Sequence, residues 1–331
     1  MIWAQFAIAA GIIIVAGYKL SHYGNQIAKR TGLGQTFMGI ILFSTITSLP
    51  ELTVCITSSS IVEAPDLAVG NIFGSNLFNL LLIAVLDIVQ GKGAILDLLS
   101  LSHVLAASLG ILLAGLAILS IGLGLSFNLG FLGLESIILI LIYALGIRIL
   151  YRHETLGSLK GASEAQESEK NTMGRSIYLL FALAAIIIVG AGMWLSITAD
   201  AIAQTTGWGQ SFIGSFMLAI VTSLPELAVG IPLVRMGAFD MAIGNLLGSN
   251  IFNIAIIPVA DIFFTQGAIL ANVSQNHILT AVLGIVMTNI IIMDLIYRAK
   301  KVPWRIGWGS ISIIILYFLG SITLFKLGIG G

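Results

Sequence analysis

The sequence has few charged residues and almost no cysteine. Only 9% of its 331 residues are charged, against about 25% in a typical soluble domain, while 58% are hydrophobic. This composition excludes a soluble enzyme, because folding it in water would leave large apolar surfaces exposed, and it excludes a disordered chain. One cysteine, Cys55, excludes an internal disulfide and a thiolate metal cluster. The 15 basic and 15 acidic residues balance, unlike those of a nucleic-acid binder, so the composition predicts a polytopic membrane protein.

Long apolar runs predict the fold class, an all-α polytopic membrane protein with ten transmembrane helices. A helix needs about 20 apolar residues to cross the hydrocarbon core. The predicted spans cover 2–20, 36–60, 67–89, 101–121, 130–150, 177–199, 211–234, 241–264, 277–297 and 305–326. The first run has neither a basic leading region nor a clear cleavage site, which favours a real span over a signal peptide.

Basic residues predict the orientation. With both termini on the extracytoplasmic side of the cell (inner) membrane, 14 of the 15 Lys and Arg residues fall in cytoplasmic loops or at span ends, and only Lys326 lies outside. The one hydrophilic stretch, 152–175, is then a cytoplasmic linker between two halves of five spans each.

The two halves of the chain contain the same sequence blocks. Residues 32–55 and 207–230 are identical at 12 of 24 positions, including TSLPEL, and the blocks GNIFGSNLFN at 70–79 and GNLLGSNIFN at 244–253 share 7 of 10. GAIL follows in both, so the first repeat is 1–151 with its motif at 32–96, and the second is 176–331 with its motif at 207–270. Five crossings separate the copies. Because that number is odd, the repeats are predicted to be inverted, as in secondary transporters with sites near the midplane.

Two carboxylates fall in the middle of predicted spans. Glu51 and Glu226 are costly there, by about 2.5–3.5 kcal/mol on insertion scales, and such residues normally face a partner or a cavity. Every Lys and Arg lies in a loop or at a span end, so no fixed cation can neutralise them and their counter-charge must come from solution as metal ions or protons. Pro50 and Pro225 directly precede them and predict a kink or an opening of each helix.

Hydroxyl and amide side chains surround the two Glu positions at helical spacing. One turn before each Glu lie Thr47 and Ser48 in the first repeat and Thr222 and Ser223 in the second. The second block supplies Ser75 and Asn79 on one helical face, and Ser249 and Asn253 on the matching face. Glycines of the same block are predicted to allow close helix packing: Gly70, Gly74, Gly244 and Gly248. Asn71, Asn76, Asn245 and Asn250 are predicted to cap or cross-link helices.

The donor set contains only oxygen, which suits Ca²⁺ or Na⁺ and not the metals that prefer His or Cys. Two Glu charges balance one Ca²⁺. Alternatives remain open: a Ca²⁺/H⁺ exchanger using the same Glu pair, a passive cation channel, or an intramembrane enzyme, although no Ser/Lys or Ser/His pair and no HExxH motif is evident.

Other polar residues are interpreted as structural. Asp87 and Asp261 match between the repeats at span ends, which predicts solvated or capping roles. Glu63, Asp66 and Asp200 are interpreted as solvated. The four histidines, His22, His103, His153 and His277, are taken to lie in or near loops and to follow no repeat.

The paired blocks resemble the alpha repeats of the cation/Ca²⁺ exchanger superfamily, in particular its small prokaryotic sodium/calcium exchangers. TSLPE and GN-x-x-GSN-x-x-N, each present twice, carry the resemblance, which covers the whole ten-span layout. It implies an antiporter that exchanges Ca²⁺ for Na⁺ by alternating access, with no cofactor, no nucleic acid and no obligatory protein partner beyond the lipid bilayer.

The same resemblance implies the ligands. A cluster of one Ca²⁺ and neighbouring Na⁺ sites would involve Thr47, Glu51, Ser75, Asn79, Thr222, Glu226, Ser249 and Asn253. Ser48 and Ser223 would line it, the backbone carbonyls of Ser44 and Ala219 would reach Na⁺ sites, and spans one and six would slide as gates. K⁺-dependent members of the superfamily carry Asp at the position of Asn253, so Asn predicts no K⁺ requirement.

Overall fold

The computed structural model describes residues 2–31, 34–91, 93–124, 128–129, 132–161, 176–206, 218–298 and 306–329. The helices of the first half are α1 (Ile2–Thr31), α2 (Gln35–Thr47), α3 (Leu49–Ser60), α4 (Pro65–Gln90), α5 (Ser102–Leu123) and α6 (Leu134–Gly161). Those of the second half are α7 (Ser176–Thr206), α8 (218–222), α9 (Leu224–Arg235), α10 (Phe239–Phe263), α11 (Asn276–Tyr297) and α12 (Trp308–Ile329). Short 3-10 turns cover Ile95–Leu98 and Ile269–Asn272.

Seven of the described helices are long and apolar enough to cross a membrane, and α2 with α3, bent by 43° at their junction, would make an eighth. A multi-pass helical membrane protein is therefore confirmed. The apolar part of α12, Trp308–Leu324, is shorter, and the predicted span 211–234 begins among residues outside the described ranges. The count of ten spans stays a prediction.

Helix ends differ from the predicted span ends. α1 continues to Thr31, beyond the predicted end at 20, and α6 continues to Gly161, so the start of the predicted linker 152–175 is helical. Hydropathy marks only the part of a helix that fits in hydrocarbon, whereas backbone hydrogen bonding extends it into polar sequence. A two-stranded antiparallel hairpin, β1 (Asn128–Leu129) with β2 (Leu132–Gly133), also departs from the all-α prediction.

α4 and α10 form the centre of the bundle. In their most apolar windows, 61% of the α4 residues and 72% of the α10 residues are buried, against 22% in α1 and in α6. Peripheral helices expose large apolar side chains, for example Leu179 and Ile186 on α7. Such side chains suit contact with lipid tails. Of the helices that could cross a membrane, α4 and α10 are therefore the two with the largest buried share.

A histidine from the other half of the chain contacts an aspartate at the start of each central helix, α4 and α10. His103, at the start of α5, lies with its Nε2 2.9 Å from Oδ1 of Asp240, at the start of α10. His277, at the start of α11, lies with its Nε2 2.9 Å from Oδ1 of Asp66, at the start of α4.

The two histidine contacts correct the interpretation of these residues. His103 and His277 are 174 residues apart, as are Asp66 and Asp240, so this pair of histidines does follow the repeat and the prediction that it does not is wrong. The side chain of Asp66 is 57% exposed, yet its Oδ1 also accepts from the backbone N–H of Ser274 at 2.6 Å. These contacts join opposite halves and are visible only once the chain is folded.

Asp87 anchors a loop and a helix start. It is fully buried at the end of α4, where Oδ1 accepts from the backbone N–H of Ile95 at 2.6 Å. Its Oδ2 accepts from the N–H of Gly307 at 2.8 Å and from the hydroxyl of Ser310 at 2.6 Å. Asp87 therefore caps the start of α12, whose first N–H groups have no partner within their own helix.

Asp261 repeats this arrangement at the end of α10. It is fully buried, and its carboxylate accepts from the N–H of Ile269 at 2.7 Å, the N–H of Gly133 at 2.9 Å and the hydroxyl of Ser136 at 2.7 Å. Of the two roles predicted for Asp87 and Asp261, capping is the one found, and solvation is wrong.

Candidate cation site

Two broken helices place the carboxylates. Ser48 interrupts the helix between α2 and α3 with φ −91° and ψ 8°, and Ser223 interrupts it between α8 and α9 with φ −87° and ψ 7°. Pro50 and Pro225 follow in the first turn of α3 and of α9, a position that tolerates proline because its missing N–H has no partner there anyway. Each helix is thus interrupted just before its proline, and the first interruption bends it by 43°.

The break also sets the environment of each Glu. Glu51 and Glu226 lie in the first turn of α3 and α9, where unpaired N–H groups and the helix dipole favour a negative charge. Both are completely buried. The sequence pattern predicted the kink but did not indicate that it would start a new helix directly before each carboxylate.

Serine hydroxyls connect each carboxylate to the opposite half. Ser48 donates to Oε1 of Glu226 at 3.2 Å, and Ser223 donates to Oε1 of Glu51 at 3.4 Å. Ser249, on α10, also donates to Oε1 of Glu226 at 3.1 Å. The two broken helices thus share one polar centre.

The threonines belong to the same centre. The Thr47 hydroxyl lies 3.5 Å from that of Ser249 and 3.2 Å from Oδ1 of Asn245. In the other half, the Thr222 hydroxyl lies 3.3 Å from that of Ser75 and 3.5 Å from Oδ1 of Asn71. Asn245 and Asn71 therefore contact threonines of the opposite half, in line with their predicted cross-linking role.

Asn79 and Asn253 are completely buried on α4 and α10. Their Nδ2 groups donate to Oδ1 of Asn250 at 3.1 Å and to Oδ1 of Asn76 at 3.0 Å. Within the described residues, Oδ1 of Asn79 and Oδ1 of Asn253 have no hydrogen-bond partner. The Oδ1 atom of each of these two amides is therefore available to accept a further hydrogen bond or to bind a cation.

Glycine allows α10 to approach the broken helix α2. A Cβ on Gly248 would lie 2.6 Å from Cα of Ile40 and would also overlap the Ile40 carbonyl oxygen, and one on Gly244 would lie 3.0 Å from the Thr36 carbonyl oxygen. The predicted close packing is found at these two positions. By the repeat, Gly70 and Gly74 would face 211–215, which lies outside the described residues, so their role stays a prediction.

The backbone carbonyls of Ser44 and Ala219 are already engaged. Ser44 O accepts from the N–H of Ser48 at 3.0 Å, and Ala219 O accepts from the N–H of Ser223 at 3.2 Å. Both carbonyls are one turn before the break and border the polar centre. Their role as Na⁺ ligands stays a prediction.

The site contains several buried side-chain oxygens that have no hydrogen-bond partner among the described residues. Besides the two amide oxygens, Oε2 of Glu51 and Oε2 of Glu226 have no hydrogen-bond partner among the described residues. Neither Glu forms an ion pair there, since the ion pairs of the described ranges are the two His–Asp contacts. A buried charged group without a partner costs more than the roughly 1–3 kcal/mol of an unmade neutral hydrogen bond. The centre therefore requires positive charge from outside the protein.

The donor types limit what this charge can be. Within the described part of the chain, no group of three His, Cys, Asp or Glu is placed to hold a metal, so hydroxyl and amide oxygens must supplement the two carboxylates. Hard cations accept such mixed oxygen sets, and Ca²⁺ takes 6–8 oxygens. A reversible cation site fits the geometry.

Hydrogen bonds link eight of the ten predicted side chains to another of the set, and the remaining two, Asn79 and Asn253, are buried one helical turn from Ser75 and Ser249. Sequence reasoning did not identify how four further asparagines contact them: Asn71, Asn76, Asn245 and Asn250. The available signal was their identity in both copies of GN-x-x-GSN.

Comparison with known proteins gives a consistent result. The family model described as sodium/calcium exchanger protein matches residues 1–152 and 176–327. The chain is 28% identical over 278 residues to the inner membrane protein YrbG of Escherichia coli, covering 81% of this chain and 82% of that protein. It is 24% identical to the sodium/calcium exchanger MaX1 of Methanosarcina acetivorans, covering 92% of both chains.

The fold resembles a solved structure over nearly its whole length. A structure of the sodium-calcium exchanger NCX_Mj, soaked with Na⁺ and Sr²⁺, superposes with a TM-score of 0.73 and covers 96% of this chain and 98% of that chain. At 19% sequence identity, this similarity establishes the fold.

Proposed function

The chain belongs to the sodium/calcium exchanger protein family of membrane cation antiporters, and on that premise we propose that it exchanges Ca²⁺ for Na⁺ at the centre between the two broken helices. The observation that carries the proposal is the set of four unpaired, buried oxygens, on Glu51, Glu226, Asn79 and Asn253, with no basic partner in the described residues.

The negative charge of the site determines which cations it can carry. Two carboxylates are neutralised by one Ca²⁺ or by two monovalent cations. The hydroxyls of Ser75, Ser249, Thr47 and Thr222 supply neutral oxygens around them. Either kind of ion satisfies the two carboxylates, and both kinds compete for them.

Competition couples the two fluxes. An occupied site is neutral and can change its exposure from one side of the membrane to the other, whereas an empty site carries two buried charges and is penalised by desolvation. The protein therefore changes sides only when loaded, which is antiport. A passive channel would need a continuous pore, whereas Glu51 and Glu226 are fully buried.

Na⁺ is favoured over H⁺ as the counter-ion by the neutral donors. A proton needs only a carboxylate oxygen, while Ser, Thr and Asn side chains do not take up protons near neutral pH. In a Ca²⁺/H⁺ exchanger the protons would use the Glu pair alone, so the amide oxygens of Asn79 and Asn253 would serve only Ca²⁺ and not the counter-ion.

The two halves are proposed to be inverted repeats that alternate in opening. Support comes from reciprocal contacts, in which Ser48 binds Glu226 and Ser223 binds Glu51. α1 and α7 would slide as gates along the broken helices. A Cβ on Gly17 of α1 would lie 2.8 Å from the Ala228 backbone, and one on Gly192 of α7 would lie 2.6 Å from Cγ of Pro50.

Ca²⁺ uptake into proteoliposomes tests the proposal. Vesicles loaded with Na⁺ should accumulate ⁴⁵Ca²⁺ when diluted into Na⁺-free buffer, and vesicles with a pH gradient alone should not. Uptake driven only by the pH gradient would establish a Ca²⁺/H⁺ exchanger, and uptake that needs no opposing ion would establish a channel.

Single substitutions test the site itself. Glu51→Gln and Glu226→Gln should each nearly abolish Na⁺-driven uptake, because Ca²⁺ is then only half neutralised. Both variants should still insert and fold, because each loses a buried charge. Glu63→Gln is the matched control, since Glu63 is exposed and its Oε2 accepts from Gln266 at 2.8 Å. Wild-type exchange in either site variant would refute the two-carboxylate site.

A further inference from the structure

Asn76 and Asn250 join the two central helices through a closed set of hydrogen bonds. Nδ2 of Asn76, on α4, donates to the backbone carbonyl of Asn250, and Nδ2 of Asn250, on α10, donates to the backbone carbonyl of Asn76, both at 3.2 Å. Their side-chain oxygens accept from the next polar residues, Asn253 at 3.0 Å and Asn79 at 3.1 Å. Four hydrogen bonds thus connect four amides across the crossing of α4 and α10.

The direction of every amide in this set is determined by the backbone. A backbone carbonyl only accepts hydrogen bonds, so the NH₂ group of Asn76 and that of Asn250 must face it. Their Oδ1 atoms must then face the other way, toward Asn253 and Asn79, which have to present NH₂ to them. Oδ1 of Asn79 and Oδ1 of Asn253 are consequently directed away from the set.

These directed oxygens belong to the faces that carry the rest of the site. Asn79 is one helical turn from Ser75, which contacts Thr222, and Asn253 is one turn from Ser249, which donates to Glu226. Both oxygens are buried and unpaired within the described residues.

We propose that Asn76 and Asn250 are positioning residues that determine cation affinity by locking the Asn79 and Asn253 amides with oxygen toward the site. The inference rests on the proposed function. If either amide rotated by half a turn, its NH₂ group would face the cation, replacing an attractive ligand with a repulsive dipole. The backbone hydrogen bonds prevent this, although neither Asn76 nor Asn250 contacts the ion.

Asn250→Leu, which removes the acceptor that holds Asn79, tests the proposal when made in two backgrounds. In the otherwise unmodified chain it should weaken ⁴⁵Ca²⁺ binding to the purified protein by about tenfold, the value of one lost oriented hydrogen bond or ligand contact, about 1.4 kcal/mol. In the Asn79→Asp background it should change binding less than about threefold, because a carboxylate presents oxygen in both directions. A merely structural role would produce the same loss in both backgrounds.

The repeat supplies a second, independent test. Asn76→Leu in the unmodified chain and in the Asn253→Asp background should show the same pattern, and Asn250→Ala replaces Asn250→Leu if the larger side chain prevents folding. Thr288→Val is the control, because Thr288 lines the same crevice as Asn76 and Asn250, and among the described residues its hydroxyl donates to the Gly284 carbonyl of its own helix. It should leave Ca²⁺ binding unchanged.

The outcomes separate the two proposals. Equal losses in both backgrounds, with Ca²⁺ binding intact in the unmodified chain, would overturn the positioning role alone. Absence of Ca²⁺ binding to the unmodified chain would refute the proposed function, and the positioning role with it.

Discussion

Ser48 and Glu226 lie in different halves of the chain, and the Ser48 hydroxyl donates to Oε1 of Glu226 at 3.2 Å. Ser223 and Glu51 form the reciprocal contact at 3.4 Å. Each serine sits at the break of one helix and reaches the carboxylate of the other, so the polar centre is built across the two halves rather than within one.

Removing either serine hydroxyl should weaken Ca²⁺ exchange to a similar extent. A hydrogen bond to a charged group contributes about 1.5–3 kcal/mol, so Ser48→Ala and Ser223→Ala should each raise the apparent KM for Ca²⁺ at least tenfold. Ser59→Ala is the control, since Ser59 is also buried on α3 and, among the residues that the structure describes, its hydroxyl donates to the Cys55 carbonyl of its own helix. A loss in one site variant but not the other would contradict the reciprocal arrangement.

Lowering the pH should inhibit Ca²⁺ exchange by competition. Protons and Ca²⁺ bind the same oxygens of Glu51 and Glu226, so acidification from about pH 8 to about pH 5 should raise the apparent KM for Ca²⁺ and leave the maximal rate at saturating Ca²⁺ nearly unchanged. His103→Gln and His277→Gln alter the two His–Asp contacts away from the Glu pair and should retain this competition. A KM that is independent of pH would contradict competition between protons and Ca²⁺ for this carboxylate pair.

The charge count at position 253 should determine any K⁺ dependence. Asn253→Asp adds a third carboxylate to the two Glu side chains, and three neighbouring negative charges cannot all remain unpaired. Na⁺-driven Ca²⁺ flux of this variant should become sensitive to K⁺ or to pH, whereas the unmodified chain should exchange equally well with and without K⁺. A K⁺ requirement of the unmodified chain would show that its site holds more negative charge than two carboxylates.

Asp87 and Asp261 should be required for stability rather than for ion selectivity. Each accepts three hydrogen bonds, two of them from backbone N–H groups. Asn at either position directs an NH₂ group toward a donor, which should cost about 1–3 kcal/mol and lower the Tm in detergent. The Ca²⁺/Na⁺ preference of the remaining folded protein should not change.

Asp97→Asn provides the comparison for these variants. Asp97 lies on the same loop as Ile95, and its Oδ1 has no hydrogen-bond partner among the described residues. Burial is the largest influence on Asp97 and raises the pKa of its carboxyl, ahead of Arg298, which lowers it. Removing this charge should leave the Tm unchanged or raise it, so an equal fall in Asp97→Asn would contradict a specific capping role for Asp87.

Much of the architecture follows from linear patterns. Apolar runs identify the membrane class because the bilayer requires about 20 apolar residues in each crossing, and the TSLPEL and GSN blocks identify the repeat by direct comparison. Pro50 and Pro225 predict the helix breaks, since proline has no N–H wherever the chain places it. The helix ends at Thr31 and Gly161 were not predicted, because the apolar run of each helix ends several residues before its backbone hydrogen bonds do.

The sequence by itself determined which residues carry charge inside the membrane, how they repeat and that no basic residue accompanies them. Only the tertiary structure decided which partners they meet. His103 contacts Asp240, Asn76 accepts a hydrogen bond from Asn253, and Asp87 caps a helix that begins more than 200 residues later. A local sequence pattern specifies which side chains lie on one face of a helix. Contacts between faces of different helices depend on how the two halves of the chain pack. That packing is determined by many close approaches together, such as that of Gly248 to Ile40.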